Sequence, residues 1–422
     1  MSEDFLHYIW QNRLFLPEGN RTTEGDSVEL LHPGFPNAHA GPDFTDVRIR
    51  IGDTLWAGCV EIHLRSSDWV RHGHHCDPAY NNVVLHVVYQ YDGDTFNARG
   101  NKVPTMELHF DERYHNNYER LVSEKSQIAC KGRLAGADTV ALTAWLERLA
   151  VERLERKAAD IMQTYALTAN NWEETLYRRL ARNFGFSLNA LPFESLAGSL
   201  PFGILLKHKD NLRQLEALLF GQAGMLHDEN LCDEYYTSLR GEYLFLRNKY
   251  RLTPIDRFLW KFLRLRPVNF PTLRIAQFAE LIHRSEHLFS QILETRTSEE
   301  FEPIFDLKAS EYWDVHYVFG KESEKRNKSF GKTAYRSVLI NTVAPFLFVY
   351  GKARGKEDFC TRAVNLLENL PPEKNAVLTQ WEESGVRNTD AFVSQALLQL
   401  KNEYCLPKRC LQCVIGNKIV CM

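Results

Sequence analysis

The chain has 422 residues, 44% hydrophobic and 25% charged, with a formal net charge of −3. These are the values of an ordinary globular protein, long enough for two domains, and no run approaches the ~18 apolar residues of a membrane-spanning helix. The small net charge conceals an asymmetry: residues 1–130 hold 11 Lys/Arg against 19 Asp/Glu, whereas residues 131–422 hold 40 against 35, and ten of the fifteen histidines precede residue 120.

An acidic, histidine-rich part joined to a basic part suits a metal-using site beside a polyanion-binding surface, and equally an ordinary charged surface. The opening Met1-Ser2-Glu3-Asp4 is acidic and unlike a signal peptide, so a cytoplasmic protein is expected. Nine cysteines, an odd number, then point to free thiols or metal ligands rather than a disulfide framework.

Residues 4–15 read as a short amphipathic helix with Phe5, Ile9 and Trp10 near one face. The period then changes. Residues 27–32, 44–51 and 55–64 are strand candidates, the last two joined by a hairpin turn at Gly52-Asp53. VVLHVVYQY (83–91) is the most β-branched run and predicts a buried strand, and residues 103–110 alternate as an edge strand would. Residues 1–130 therefore read as an α/β domain on a mixed sheet. From Asp138 the pattern is helical: residues 138–165 carry Leu142, Leu146, Leu149, Leu154 and Ile161 at helical spacing, with Asp138 or Thr139 as cap. Further helices are expected at 172–184, 209–220, 231–249, 254–263, 274–294, 333–351, 357–370, 374–384 and 388–401, giving a helical, basic domain over 131–400. Residues 401–422 form a cysteine-rich tail.

Glu61 and His63 lie two apart on a strand, so their side chains leave the same face, while Val60, Ile62 and Leu64 leave the other toward a core. The hairpin returns the strand that begins near Asp43 alongside Glu61. Two carboxylates and an imidazole then converge, a set that suits a hard divalent cation such as Mg²⁺ or Mn²⁺. Asp68, His72, His74, His75, Cys76 and Asp77 follow as a second cluster. It reads as a polar loop lining the same cleft or, less simply, as a zinc site. His86, inside an apolar strand, reads as a core histidine with satisfied hydrogen bonds.

Pro42-Asp43 followed by Glu61-x-His63 resembles the PD-(D/E)XK signature of restriction-endonuclease-like nucleases, over roughly the first 110 residues. The resemblance implies that Asp43 and Glu61 are metal ligands and that residues 1–130 have the restriction-endonuclease-like fold. It places His63 where the family has a lysine, a departure, because histidine lacks a permanent charge. More broadly, AGPDF, WAGCVEIHLRSSDW, DPAYNNVVLHVVY, RPVNFPTLRIAQ and CLPKRCLQCVIG resemble a conserved bacterial family of unknown function across nearly the whole chain.

Two stretches carry excess cations. Residues 240–274 hold nine Lys/Arg against two acids, among them Arg247, Arg251, Lys261, Arg264, Arg266 and Arg274, interleaved with aromatic residues. Residues 321–356 hold nine against two, including Lys328 and Lys332. Cations neutralise phosphates and rings stack on bases, so DNA or RNA contact is expected here; helical core aromatics beneath solvated arginines are the plainer reading. The tail reads Cys405-x4-Cys410-x2-Cys413-x7-Cys421. It suits Zn²⁺ or an iron–sulfur cluster, or stays reduced and unliganded. The nuclease resemblance implies an upstream partner, Cys130 or Cys360, if Cys421 is not a ligand.

The function expected is thus a Mg²⁺- or Mn²⁺-dependent nuclease. The alternatives are a catalytically inactive nucleic-acid-binding relative and a zinc-dependent hydrolase of another substrate.

Overall fold

Strands form where β-branched residues cluster. The computed structural model describes residues 1–16, 20–133 and 139–422. Its first elements are helix α1 (Glu3–Gln11), strands β1 (Val28–His32), β2 (Phe35–Pro36), β3 (Phe44–Ile51) and β4 (Thr54–Arg65), the single-turn helix α2 (Asp68–Arg71), strands β5 (Val83–Gln90) and β6 (Thr105–Glu107), and helix α3 (Glu112–Ser123). They build a mixed sheet in the order β1-β3-β4-β5-β6, with β2 also paired to β3. The hairpin closes as expected: Ile51 faces Thr54 across a two-residue loop, and Gly52 takes φ +54°, which glycine adopts without strain.

The pairing of β4 with β5 is parallel, as is that of β5 with β6. A chain leaving β4 at Arg65 must therefore travel back along the sheet before β5 can start. Residues 66–82 make that crossover through α2 and two 3₁₀ turns, His74–Cys76 and Pro78–Tyr80. The crossover covers the face from which Glu61 and His63 project, with Cys59, Trp69, Tyr80, Val83 and Val103 packed as one buried cluster. Val60 and Ile62 are buried on the opposite face. Both faces of β4 are thus covered, and Glu61 and His63 retain only 5% and 2% of their exposure. Gly58 lets β4 and β5 approach where they first pair: a Cβ there would lie 2.5 Å from Val84 Cγ1 and 2.6 Å from the Asn82 carbonyl.

The chain divides into two compact units, Met1–Trp145 with Leu400–Met422, and Leu146–Gln399. The cysteine tail belongs to the first. The division falls within helix α4 (Thr139–Leu167), whose Leu146, Leu149, Leu154 and Ile161 are buried as their spacing predicts. Asp138 and the Thr139 side chain, the expected cap, lie outside the described residues.

The second unit is mainly helical. One expected helix is absent. Residues 254–263 hold only the 3₁₀ turn Arg257–Leu259, and the Lys261 N–H and carbonyl that a helix would use are paired instead with the Asn189 side chain, each at 2.9 Å. Another, 274–294, is two helices, Pro271–Arg284 and Leu288–Glu294. A small antiparallel pair joins His316–Val318 to Lys321–Glu322, the second strand opening the second basic stretch.

Candidate metal centre

The first strand of the hairpin begins irregularly: its register with β4 shifts between Phe44 and Val47, and Asp46 takes φ 57°. Such a bulge leaves ladder groups without their usual partners. Two carboxylates take them up. The Asp43 N–H donates to Glu61 Oε2 at 3.0 Å, and the Ile62 N–H donates to Asp43 Oδ2 at 2.9 Å. The acids expected to converge are therefore bound into each other's strands. His7 of α1 closes the far side, its Nε2 3.2 Å from Asp43 Oδ2. Sequence reasoning missed His7, because its position on an amphipathic helix carries no motif linking it to Asp43.

Burial beside a second acid shapes the charges. Desolvation, then the charge of Asp43, pushes the Glu61 carboxyl up to about 8, against the Asp43 N–H that favours its ionised form. Burial works against a charged His7, yet the hydrogen bond and charge of Asp43 outweigh it and raise its pKa above the usual histidine range.

Three histidines converge, and two of them, His63 and His74, lie against Glu61. One ring nitrogen from each of His63, His72 and His74 lies within 4.8 Å of the others, and His63 Nε2 is 3.1 Å from His72 Nδ1. Glu61 Oε1 is 3.0 Å from His74 Nε2 and 3.4 Å from His63 Nε2. The crossover supplies two of the three: the turn ending α2 carries His72, and Gly73 at φ 80° turns the chain so that His74 returns to the sheet. Tyr80 stacks on His74 with ring centroids 3.7 Å apart, and Trp69 meets the same ring edge to face. The His74 Nε2 is buried and makes no hydrogen bond.

Behind His63 runs a short relay. His63 Nδ1 lies 2.9 Å from His86 Nε2, and His86 Nδ1 lies 3.4 Å from Thr95 Oγ1. If each Nδ1 carries the proton, His63 Nε2 keeps its lone pair toward the cluster. Burial, reinforced by the neighbouring imidazoles, lowers His63 to about 4 and His86 well below the usual range. Burial lowers His74 as well. Neutral imidazoles are what a metal ion requires. One ion bound at ~2.0–2.1 Å by imidazole nitrogen spans at most ~4.2 Å between ligands, so a set lying within 4.8 Å would close on it with small side-chain shifts.

The remaining candidates separate. Asp68 is buried but turned away into its own helix start, accepting from the Arg65 N–H at 3.1 Å and pairing with Arg71 at 2.9 Å. His75 is exposed. In the second unit Arg247, Arg251, Lys261, Arg264 and Arg266 are exposed, and Lys332 is an exposed partner of Glu302 at 3.1 Å. Arg274 and Lys328 are corrections. Arg274 is buried between the Phe186 and Phe330 rings and bonds Gln277 and Asn269. Lys328 is buried over the Tyr317 ring and donates to the His316 carbonyl at 2.8 Å. Both charges are satisfied internally, which removes them from any phosphate-facing surface. Of the tail cysteines, Cys410 and Cys413 are buried, Cys405 is half-buried and Cys421 is exposed.

Among the described residues no helix is long and apolar enough to cross a membrane. No curated protein and no solved structure was found to match the chain. A family model described as Protein of unknown function (DUF2851) matches residues 3–376. The chain therefore belongs to the DUF2851 family.

Proposed function

We propose that this chain is a metal-dependent nuclease whose first unit has the restriction-endonuclease-like fold and whose centre is built on Asp43, Glu61 and His63. The observation that carries the reading is the reciprocal Asp43–Glu61 pairing beside three converging imidazoles. The helix, the β3–β4 hairpin and the crossover to a parallel β5 also follow the order expected of that fold.

Oxygen and nitrogen donors mixed in this way suit Mn²⁺ or Zn²⁺ better than Mg²⁺, which prefers oxygen and retains its waters. Glu61, His63, His72 and His74 would hold the ion. When bound, the ion supplies Lewis acidity toward a phosphoryl oxygen. Asp43 fixes the Glu61 strand. His7, raised by Asp43, supplies the positive charge that the buried, neutral His63 does not. The second unit offers exposed cations, Arg247, Arg251, Lys261, Arg264 and Arg266, with Phe245 and Phe258 63% and 78% exposed among them. Phosphates pair with such cations, and bases stack on such rings. Nine free thiols accord with a cytoplasmic setting.

The test is cleavage of single- and double-stranded DNA and RNA by the full chain with Mn²⁺, Mg²⁺ or Zn²⁺. Wild type should cleave, and Asp43→Asn and Glu61→Gln should not. Cleavage retained by both variants overturns the site. Binding without cleavage in wild type points to the inactive nucleic-acid-binding relative. A second reading, a zinc hydrolase of another substrate, rests on the His63–His72–His74 set. It gains if zinc binds stoichiometrically and no nucleic acid is bound or cut.

A further inference from the structure

One cavity of the first unit lies outside the histidine cluster yet touches its edge. It encloses about 790 Å³, a volume that suits a small organic ligand, and α1, α3 and the C-terminal segment form its walls. His7 belongs to both places: it lines the cavity, and its Nε2 is 3.2 Å from Asp43 Oδ2.

The C-terminal segment reaches this place by an irregular path. Its Leu406 N–H bonds the Lys401 carbonyl at 2.9 Å and its Arg409 N–H the Tyr404 carbonyl at 2.8 Å, each five residues back rather than four. Wide turns of this kind are uncommon and gather at functional sites. Lys408 then takes φ 58°, a left-handed conformation that strains any residue with a side chain of this size. Its Nζ donates to the Glu124 carbonyl at 2.5 Å, which fastens the bend to the end of α3. The strained bend sets Lys408 and Arg409 side by side on the cavity wall.

Charge on that wall is unbalanced. The Lys408 ammonium meets a neutral carbonyl, and the exposed Arg409 has no ion pair among the described residues. Asp4 is the single acid lining the cavity. Two such cations select an oxyanion, and the planar fork of arginine matches phosphate.

The rest of the wall is suited to a heterocycle. Three primary amides, Gln11, Gln412 and Asn417, line the cavity. Asn417 Oδ1 is buried and accepts no hydrogen bond among the described residues. A buried acceptor left unmet costs free energy, which a ligand N–H recovers. Amides carry donor and acceptor together, which is how asparagine and glutamine read the edge of a base. Tyr118 also lines the cavity, its ring fixed by stacking on Phe5 with centroids 5.3 Å apart, and Val122 and Leu411 add apolar surface. Bases pack on rings of this kind. A bare phosphate leaves the amides and the ring unused, and an uncharged nucleoside leaves the cations unused.

We propose that this cavity binds a nucleoside monophosphate, with the phosphate on Lys408 and Arg409 and the base against Tyr118 and the Asn417 amide. A free mononucleotide and the phosphorylated end of a strand present the same group. The strand end rests on the nuclease reading, in which His7 sets it beside Asp43; binding of the mononucleotide does not depend on that reading.

The experiment is calorimetry on the metal-free full chain with AMP, GMP, CMP and UMP, and with adenosine, inorganic phosphate and ribose phosphate as controls. At least one mononucleotide should bind, roughly tenfold or more tighter than each control. Arg409→Glu and Asn417→Ala should each weaken it about tenfold. Arg50→Ala, at an exposed arginine of β3 outside the cavity, should leave it unchanged. Arg409 is exposed, so Arg409→Glu should unfold like wild type and report on the phosphate alone. Competition by an end-phosphorylated oligonucleotide assigns the strand end, and its failure to compete assigns the free mononucleotide. No mononucleotide binding at millimolar concentration, inorganic phosphate or ribose phosphate bound as tightly, or affinity unchanged in both variants overturns the proposal. Metal-dependent cleavage without mononucleotide binding sinks the cavity alone, whereas mononucleotide binding without cleavage sinks the nuclease reading alone.

Discussion

Asp43 and Glu61 each complete the backbone hydrogen bonding of the other's strand: the Asp43 N–H donates to Glu61 Oε2 at 3.0 Å, and the N–H beside Glu61, that of Ile62, donates to Asp43 Oδ2 at 2.9 Å. The pair therefore has a structural task of its own, beside the chemical one proposed for it. Asp43→Asn and Glu61→Gln keep a carbonyl acceptor and should stay within about 1 kcal/mol of wild type in denaturant unfolding. Asp43→Ala and Glu61→Ala leave an N–H without its partner and should lose about 1–3 kcal/mol each. Amide and alanine variants unfolding alike would show that the reciprocal bonds contribute nothing to stability.

His86 Nε2 lies 2.9 Å from His63 Nδ1, so in the proposed centre it would orient His63 from behind. His86→Ala and Thr95→Val should lower Mn²⁺ or Zn²⁺ affinity roughly 10–100-fold by calorimetry while His72 and His74 remain in place. Unchanged affinity in both would remove the orienting role.

Metal binding should depend on pH through Glu61. Its carboxyl is pushed up to about 8, so in metal-free protein the buried group stays protonated through neutral pH, and metal-free stability falls as pH rises from about 4.5 through about 8. A cation needs the ionised form. The rise in Tm on adding Mn²⁺ should therefore be larger at pH 8 than at pH 6, and the difference should vanish in Glu61→Gln.

Glu216 gives a pH signature in the second unit. It is buried, accepts from Ser310 Oγ at 2.8 Å, and desolvation raises it from 4.5 to about 7. For a carboxyl raised on folding, the native state holds the extra proton, so stability is greatest below about pH 4.5 and declines as pH passes through about 7. The loss is on the order of 3 kcal/mol. Glu216→Gln should flatten this slope in urea titrations at pH 5, 6.5 and 8, and a slope unaltered by the substitution would locate its origin in another group.

Arg274 and Arg264 should behave oppositely. Arg274→Ala leaves Gln277 and Asn269 without their donor and opens space between two rings, so about 3 kcal/mol of stability should be lost. Arg264 is exposed, and Arg264→Glu should unfold like wild type. In a salt titration of single-stranded DNA binding, Arg264→Glu should weaken affinity and reduce the salt slope by about one. Tight binding by Arg264→Glu at every salt concentration would take that arginine off the interface.

The strands, their hairpin and the pairing of Asp43 with Glu61 were legible in the sequence, because period-two alternation and a two-residue turn fix which side chains share a face. Leu146, Leu149, Leu154 and Ile161 were legible in the same way from a helical period. Local pattern failed at residues 254–263, where a distant acceptor, Asn189 Oδ1, took the Lys261 N–H that a helix would have used. It failed again at Arg274 and Lys328, because charge is a property of the residue and burial a property of the fold. His7 beside Asp43, His72 and His74 folded onto His63, and Gln127 and Glu124 bonded to Lys401 and Lys408 of the C-terminal segment all join segments separated in sequence. Only the parallel β4–β5 crossover and the packing of α1, α3 and the C-terminal segment decide those contacts, since contacts between distant segments leave no period in the chain that makes them.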